Sequence, residues 1–441
     1  MNSREWVARN LAAALLAGAW TSEALLSRAS EFLGRPTQKS QRLLIQELLD
    51  RVSGAYPPSP AWLVAFLLES RRFERASARL RRGAAPIPAV LRPPSFSPAP
   101  RFTGLDIPRL ATPGELADWL EISIGQLAWF ADARDQHRRA TTPALQHYTY
   151  AFAPKRNGPP RLIEAPKPRL KAMQRRILRD ILDGVPVHDC AHGFVVGRSC
   201  LSAARVHAGE AVVVAADLKD FFPMTPLRRV HGIFRSLGYP WAVARLLTGL
   251  CSSSTPPSAF GALPEGRRHD WLTRKIHESP HLPQGAPTSP ALANLAARWL
   301  DVRLQGLARS LDANYTRYAD DLAFSGDERL ARRSRSLLAA VEDIARDEGY
   351  AVNTGKTRIM RRAGRQRVTG LVVNDHLNVP RADYDVLKAT LHNCLRNGPQ
   401  AENRSGLADF RAHLEGRIAW VENVNPARGE RLRRMFDGTK W

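Results

Sequence analysis

The chain has 441 residues, enough for two or three domains, and its 44% hydrophobic content supplies real cores, which excludes a disordered or fibrous protein. Lys and Arg number 65 against 42 Asp and Glu, and the resulting charge of +23 points to a polyanionic partner such as nucleic acid. Cys190, Cys200, Cys251 and Cys394 are scattered without CxxC pairing, which argues against a cysteine-built zinc site or a disulfide framework and fits a reducing compartment.

Residues 1–83 read as a bundle of helices rich in Ala, Leu and Arg. The apolar run Leu11 to Trp20 imitates part of a signal peptide, but Glu5 interrupts the basic leader and the helical pattern continues through "TSEALLSRASEFLG". An amphipathic packed helix is therefore expected, with no membrane-spanning segment and a cytoplasmic location. The run "RRFERASARLRR" packs six arginines into twelve positions, as either a solvated helix face or an RNA contact. Residues 84–111 carry too many prolines for a helix or a central strand and read as a semi-rigid connection.

A new unit is expected to open at Thr112, with Pro113 and Glu115 completing a capping box. "LADWLEISIGQLAWF" has a weak helix-turn-helix look and reads as packing. Two extended runs flank Asn157 and Gly158, a hairpin dipeptide, in a segment carrying Lys155, Arg156, Arg161 and Lys167 that either grips phosphates or is merely soluble. "RLKAMQRRILRDILDG" has the apolar spacing of a helix. The continuous apolar run "AVVVAADLKDFF" reads as a strand buried on both sides, and the carboxylate of Asp217 at its end calls for a cation. Asp220 reads equally as a surface acid. Gln284 and Gly285 fall in a loop before a long helix starting at Ser289 and Pro290. "YTRYADDLAFSG" then alternates like a half-buried hairpin with Asp320 and Asp321 at its bend. An amphipathic helix ending at Gly349, a strand bearing Lys356, one further strand in "RQRVTGLVVN" and a mainly helical 381–441 complete the chain. Interleaved strands and helices imply an α+β domain with a mixed or antiparallel sheet.

Unpaired carboxylates at neighbouring strand ends repel one another unless a divalent ion neutralises them, and hard oxygen ligands favour magnesium. Asp217, Asp320 and Asp321 suit a two-metal site with ions about 3.5–4 Å apart. An Asp pair in a turn is by itself usually turn chemistry.

The ordered set is more specific. Asp217 followed by two aromatics, then "QGAPTSP", then "YADD", then Gly349 with Lys356, then "VTGLVVN", resembles the successive palm motifs of reverse transcriptases, over about residues 112–425. "AHGFVVGRS", "QGAPTSP" and "VTGLVVN" are similar to bacterial retron reverse transcriptases, and the N-terminal extension to their myxobacterial branch. The family's Asn-Ala-x-x-His element stands here as "AARVH", with Ala203 in place of Asn and with Ala204 and His207 kept.

The resemblance implies a right-hand polymerase: fingers over 112–210, palm over 211–380 and thumb over 381–441, after the helical extension 1–83 and the linker 84–111. It implies Asp217 and Asp320 as principal ligands of two Mg2+ ions, Asp321 as the acid beside them, and the Leu218 carbonyl as a further ligand. It assigns Lys155, Arg161, Gln284 and Gly285 to the incoming nucleotide, Phe222 to exclusion of the ribose 2′-hydroxyl, and Lys356 to protonation of leaving pyrophosphate. His207, Thr369 and Gly370 fall to primer or RNA contact. The implied activity is RNA-directed DNA polymerisation from dNTPs, with a structured noncoding RNA as template and primer and branched multicopy DNA as product. Antiphage defence with a separate effector protein, and template trimming by a host ribonuclease H in trans, follow from the same likeness. Competing readings are a group II intron-like or other defence-associated reverse transcriptase and, in another class, a non-catalytic RNA-binding antitoxin scaffold.

Overall fold

The structure is a computed structural model and describes residues 4–33, 37–52, 56–81, 93–133, 136, 142–155, 159–262 and 269–441. The chain divides into two compact units, Met1–Pro186 with Thr225–Ala296, and Val187–Met224 with Ala297–Trp441. The mainly helical chain with antiparallel sheets is of the α+β class. No helix among the described residues is long and apolar enough to cross a membrane.

In the first unit the helices Arg4–Leu16, Ser22–Leu33, Lys39–Val52, Pro60–Glu69 and Arg71–Arg81 pack around Leu11, Leu15, Leu25, Leu44, Leu63 and Phe73, all fully buried. The apolar N-terminal run is thus core, as its helical spacing requires. Residues 84–92, the first part of the expected linker, lie outside the described residues; the remainder has no strand or α-helix and one 3-10 turn, Pro100–Phe102, with the Ser97 and Ala99 amides donating to the Gly238 and Ser236 carbonyls. The expected capping box forms: the Glu115 amide donates to the Thr112 hydroxyl at 3.2 Å and the Thr112 amide donates to the Glu115 carboxylate at 3.2 Å. Strands β1 (Tyr148–Ala153) and β2 (Arg161–Pro166) pair antiparallel; the Asn157–Gly158 turn expected between them lies outside the described residues. The long helix expected from Ser289 is two helices, Ser289–Ala296 and Arg298–Ser310, divided at Ala297.

The second unit is built on the sheet order β4-β5-β3-β6, from β3 (Val212–Asp217), β4 (Asn314–Tyr318), β5 (Asp321–Gly326) and β6 (Arg358–Arg361). All its ladders are antiparallel. Tyr315, Thr316 and Arg317 are buried in succession on β4, and Leu322 to Gly326 on β5, so the hairpin is covered on both faces and not half-buried as its alternation suggests. The helix Glu328–Asp347 lies against β3 and β5. Two further departures concern loops. Lys356 sits in a 3-10 turn, Thr354–Lys356, ahead of β6, and "RQRVTGLVVN" makes a small hairpin of β7 (Arg367–Val368) and β8 (Leu371–Val372). Thr369 and Gly370 form its turn, at φ of 49° and 87°. The helices Arg381–Asn397, Phe410–Val424 and Pro426–Asp437 close a second core around Leu387, Leu391, Ile418 and Leu432.

Candidate active site

The β3–β5 register sets Asp217 directly opposite Asp321, and the Leu218 amide donates to the Asp320 carbonyl at 2.9 Å. Two facing strand ends, of β3 and β5, and the two-residue turn Ala319–Asp320 therefore gather all three acids. Ala319 in that turn takes φ 56°, the left-handed conformation that a tight antiparallel hairpin requires. Gly193 allows the turn to be approached: a Cβ there would lie 2.6 Å from the Ala319 amide nitrogen. Extended backbone directs the amide and carbonyl of one residue to the same edge, so Leu218, whose amide reaches Asp320, also turns its carbonyl towards that side.

Asp217 is 5% exposed and takes two hydrogen bonds, from Lys356 Nζ at 2.9 Å and from Asn353 Nδ2 at 3.2 Å. Sequence reasoning missed Asn353, whose amide also donates to the Asp217 carbonyl at 2.7 Å. Burial alone would lower the Lys356 ammonium, but the Asp217 bond and the charges of Asp217, Asp320 and Asp321 outweigh it and raise the pKa. Desolvation, followed by the charges of Asp320 and Asp217, pushes Asp321 up to about 6. Closely set carboxylates held this way await more positive charge than one lysine provides.

Arg317 holds the turn from below. Its guanidinium makes a bidentate pair with Asp301, both bonds at 2.7 Å, and donates to the Ala319 carbonyl at 3.1 Å. Both side chains are 0% exposed, and Tyr315 donates to the same carboxylate at 3.1 Å. No pattern in the sequence marks this pair, because an arginine in an alternating strand reads as outward-facing. Phe221 is core, whereas Phe222 is half-buried with its ring 6.2 Å from that of the exposed Phe194. Phe194, at φ 59°, also sets its ring 6.5 Å from that of Tyr318, next to the Ala319–Asp320 turn.

His207, expected at the RNA, is 0% exposed, held by Ser325 Oγ at 2.8 Å and Thr316 Oγ1 at 2.7 Å. It cannot touch nucleic acid from there, and its two bonds tie the segment that follows the helix Cys200–Arg205 to β4 and β5. Thr369 donates to the Cys200 carbonyl at 2.9 Å, and with Gly370 lines a 640 Å³ cavity shared with Pro380, His413 and Trp420. Arg161 and Lys155 are exposed at the ends of β2 and β1. The Gln284 carbonyl accepts from the Glu164 amide at 2.9 Å, and Gly285, at φ 139°, passes so close that a Cβ would meet the Glu164 carbonyl at 2.7 Å. These four belong to the first unit and the acids to the second.

The profile of the reverse transcriptase (RNA-dependent DNA polymerase) family matches residues 153–384. The chain is 42% identical over 334 residues to the retron Mx65 reverse transcriptase of Myxococcus xanthus, a match covering 74% of this chain and 72% of that one. It is 40% identical over 331 residues to the retron Mx162 reverse transcriptase of the same organism, covering 71% of this chain and 64% of the relative. Identity to the retron Ec86 reverse transcriptase of Escherichia coli is 32% over 274 residues, covering 62% of this chain and 74% of that one.

Proposed function

The chain belongs to the reverse transcriptase family as a retron-type RNA-directed DNA polymerase, and from that premise we propose that Asp217, Asp320 and Asp321 are the carboxylates that run its nucleotide transfer. The observation that carries this reading is the ladder pairing of Asp217 with Asp321, one peptide from Asp320. Reverse transcriptases act on a nucleic acid template and primer with divalent metals, and hard carboxylates beside a backbone carbonyl fit Mg2+. Two bound Mg2+ ions would supply activation of the primer hydroxyl and charge neutralisation at the leaving pyrophosphate.

The protein's own groups do the rest. Asp217 and Asp320, with Asp321 beside them and the Leu218 carbonyl, would hold the ions. Lys356, an ammonium paired with Asp217, is the proton donor to departing pyrophosphate in this reading. Arg161 and Lys155 neutralise the triphosphate, and Gln284 and Gly285 bring backbone close to the nucleotide. Phe222 excludes a ribose 2′-hydroxyl, and Thr369 and Gly370 contact the primer or RNA. The template is a structured noncoding RNA whose guanosine 2′-hydroxyl primes synthesis, giving a branched RNA–DNA molecule. A separate effector, host ribonuclease H and a role in phage defence complete the reading.

The test is deoxynucleotide incorporation on a primed RNA template by wild type and Asp320→Asn. Loss of at least about 10³-fold, equivalent to roughly 4 kcal/mol of transition-state stabilisation, is expected for the variant. Equal rates for both proteins would sink the assignment. Sequencing the nucleic acid that copurifies with the chain tests the branched product.

A further inference from the structure

Away from the acids, the first unit buries a second ligand set. Glu164 on β2 and His281 are 0% exposed, and His277, at the end of the helix Trp271–Glu278, is 4% exposed. One ligand atom from each lies within 4.8 Å of the others. We infer that Glu164, His277 and His281 bind one divalent transition metal ion, zinc by ligand preference, as a structural tie.

Donor counting makes the case. His281 Nδ1 lies 2.7 Å from the Ser279 carbonyl, which only accepts, so Nδ1 carries a hydrogen. In the neutral ring Nε2 is then a lone pair, and it faces Glu164 Oε2 at 2.7 Å. Either a proton or a metal must stand between two such acceptors. A backbone carbonyl on one nitrogen is the arrangement that orients metal-binding imidazoles. A buried imidazolium–carboxylate pair would account for Glu164 and His281 but leaves His277 unexplained. His277 Nδ1 is buried without a hydrogen bond, 4.0 Å from the same Glu164 oxygen. Around one zinc at about 2.0–2.2 Å, these ligand atoms would stand roughly 3.3 Å apart, midway between the two separations seen. Two histidines and a glutamate are a recurring zinc set, with the fourth position left to solvent or another side chain. The other Glu164 oxygen accepts from the Thr255 hydroxyl at 2.8 Å, which orients the carboxylate.

The site has a mechanical consequence. The same Glu164 gives its amide to the Gln284 carbonyl, so the ion would tie β2, which starts at Arg161, to the loop holding Gln284 and Gly285.

The 441-residue chain is stripped with a chelator and titrated with cobalt(II), whose ligand-field absorption reports a nitrogen-containing site. One equivalent per chain, displaced by one equivalent of zinc, is expected. Affinity should fall at least tenfold in His277→Gln and stay unchanged in the double variant Asp217→Asn/Asp320→Asn. Zinc should also raise the thermal unfolding midpoint of the wild type and of the double variant, which reads the site in proteins whose histidines are intact. Absence of the absorption overturns the proposal. So does absorption that survives in folded His277→Gln or vanishes in the aspartate double variant.

Discussion

Set between two hydroxyls with no solvent contact, the ring of His207 has its pKa lowered to about 3, chiefly by desolvation and secondarily by His192. The unfolded chain takes up a proton near pH 6.5 that the folded chain refuses, so acidification from about 6.5 towards 3 removes stability, at up to about 1.4 kcal/mol per pH unit. His207→Gln keeps polar atoms at the site and does not titrate. In urea unfolding between pH 6.5 and 4.5, its stability should fall less steeply than wild type by about 1 kcal/mol per unit; parallel slopes would contradict the burial. Asp321 carries the opposite sign. Its folded pKa of about 6 exceeds the ordinary 3.8, so its favourable contribution is complete below 3.8 and lost as pH rises through 6. Asp321→Asn should therefore raise the melting temperature at pH 7.5 in chelator, and the gain should shrink when magnesium is added. A lower midpoint in chelator would mean that the three acids do not repel.

The hairpin β4–β5 is anchored by a buried ion pair, Arg317 with Asp301, that also bonds the Ala319 carbonyl of its turn. Removing one partner strands the other charge in the interior, a loss of about 3–5 kcal/mol. Asp301→Asn should show that loss in chemical denaturation, and in whatever folds, nucleotide incorporation should fall because the Ala319–Asp320 turn loses its anchor. Asp301→Asn at wild-type stability would show the pair to be dispensable. Gly193 makes a sharper test of aim without charge. Gly193→Val places a side chain against the Ala319 amide, 2.6 Å from where its Cβ must sit, and displaces the turn. Incorporation should drop more than about tenfold, about 1.4 kcal/mol in the barrier, with far-ultraviolet circular dichroism unchanged. Unaltered incorporation would mean the turn tolerates the shift.

Across the whole molecule, a net +23 matched to a nucleic acid template and primer makes binding salt-dependent through counterion release. Neutralising six or more phosphates should weaken RNA affinity about 10³-fold or more between 50 and 200 mM salt, read by fluorescence anisotropy. A nearly flat salt dependence would place the excess charge away from the bound strand.

What the sequence could carry by itself was local. The apolar run ending in Asp217, the Asp pair, and the cap at Thr112 are patterns of neighbours, and neighbours fix strand, turn and helix start. That Asp217 and Asp321 would face one another could be expected from the ordered motifs, because antiparallel strands of matched length leave few registers once one face is buried. Tertiary structure alone decided which polar residues point inward. Lys356 left the expected strand for a turn that sets it on Asp217, His207 went to the core, and Arg317 found Asp301 from a strand covered on both faces. Glu164 met His277 and His281 across more than a hundred residues of chain, and no cysteine spacing announced that meeting. The physical reason is that side-chain period reports only the local backbone, whereas a buried polar group takes whatever partner the closed fold brings within about 3 Å.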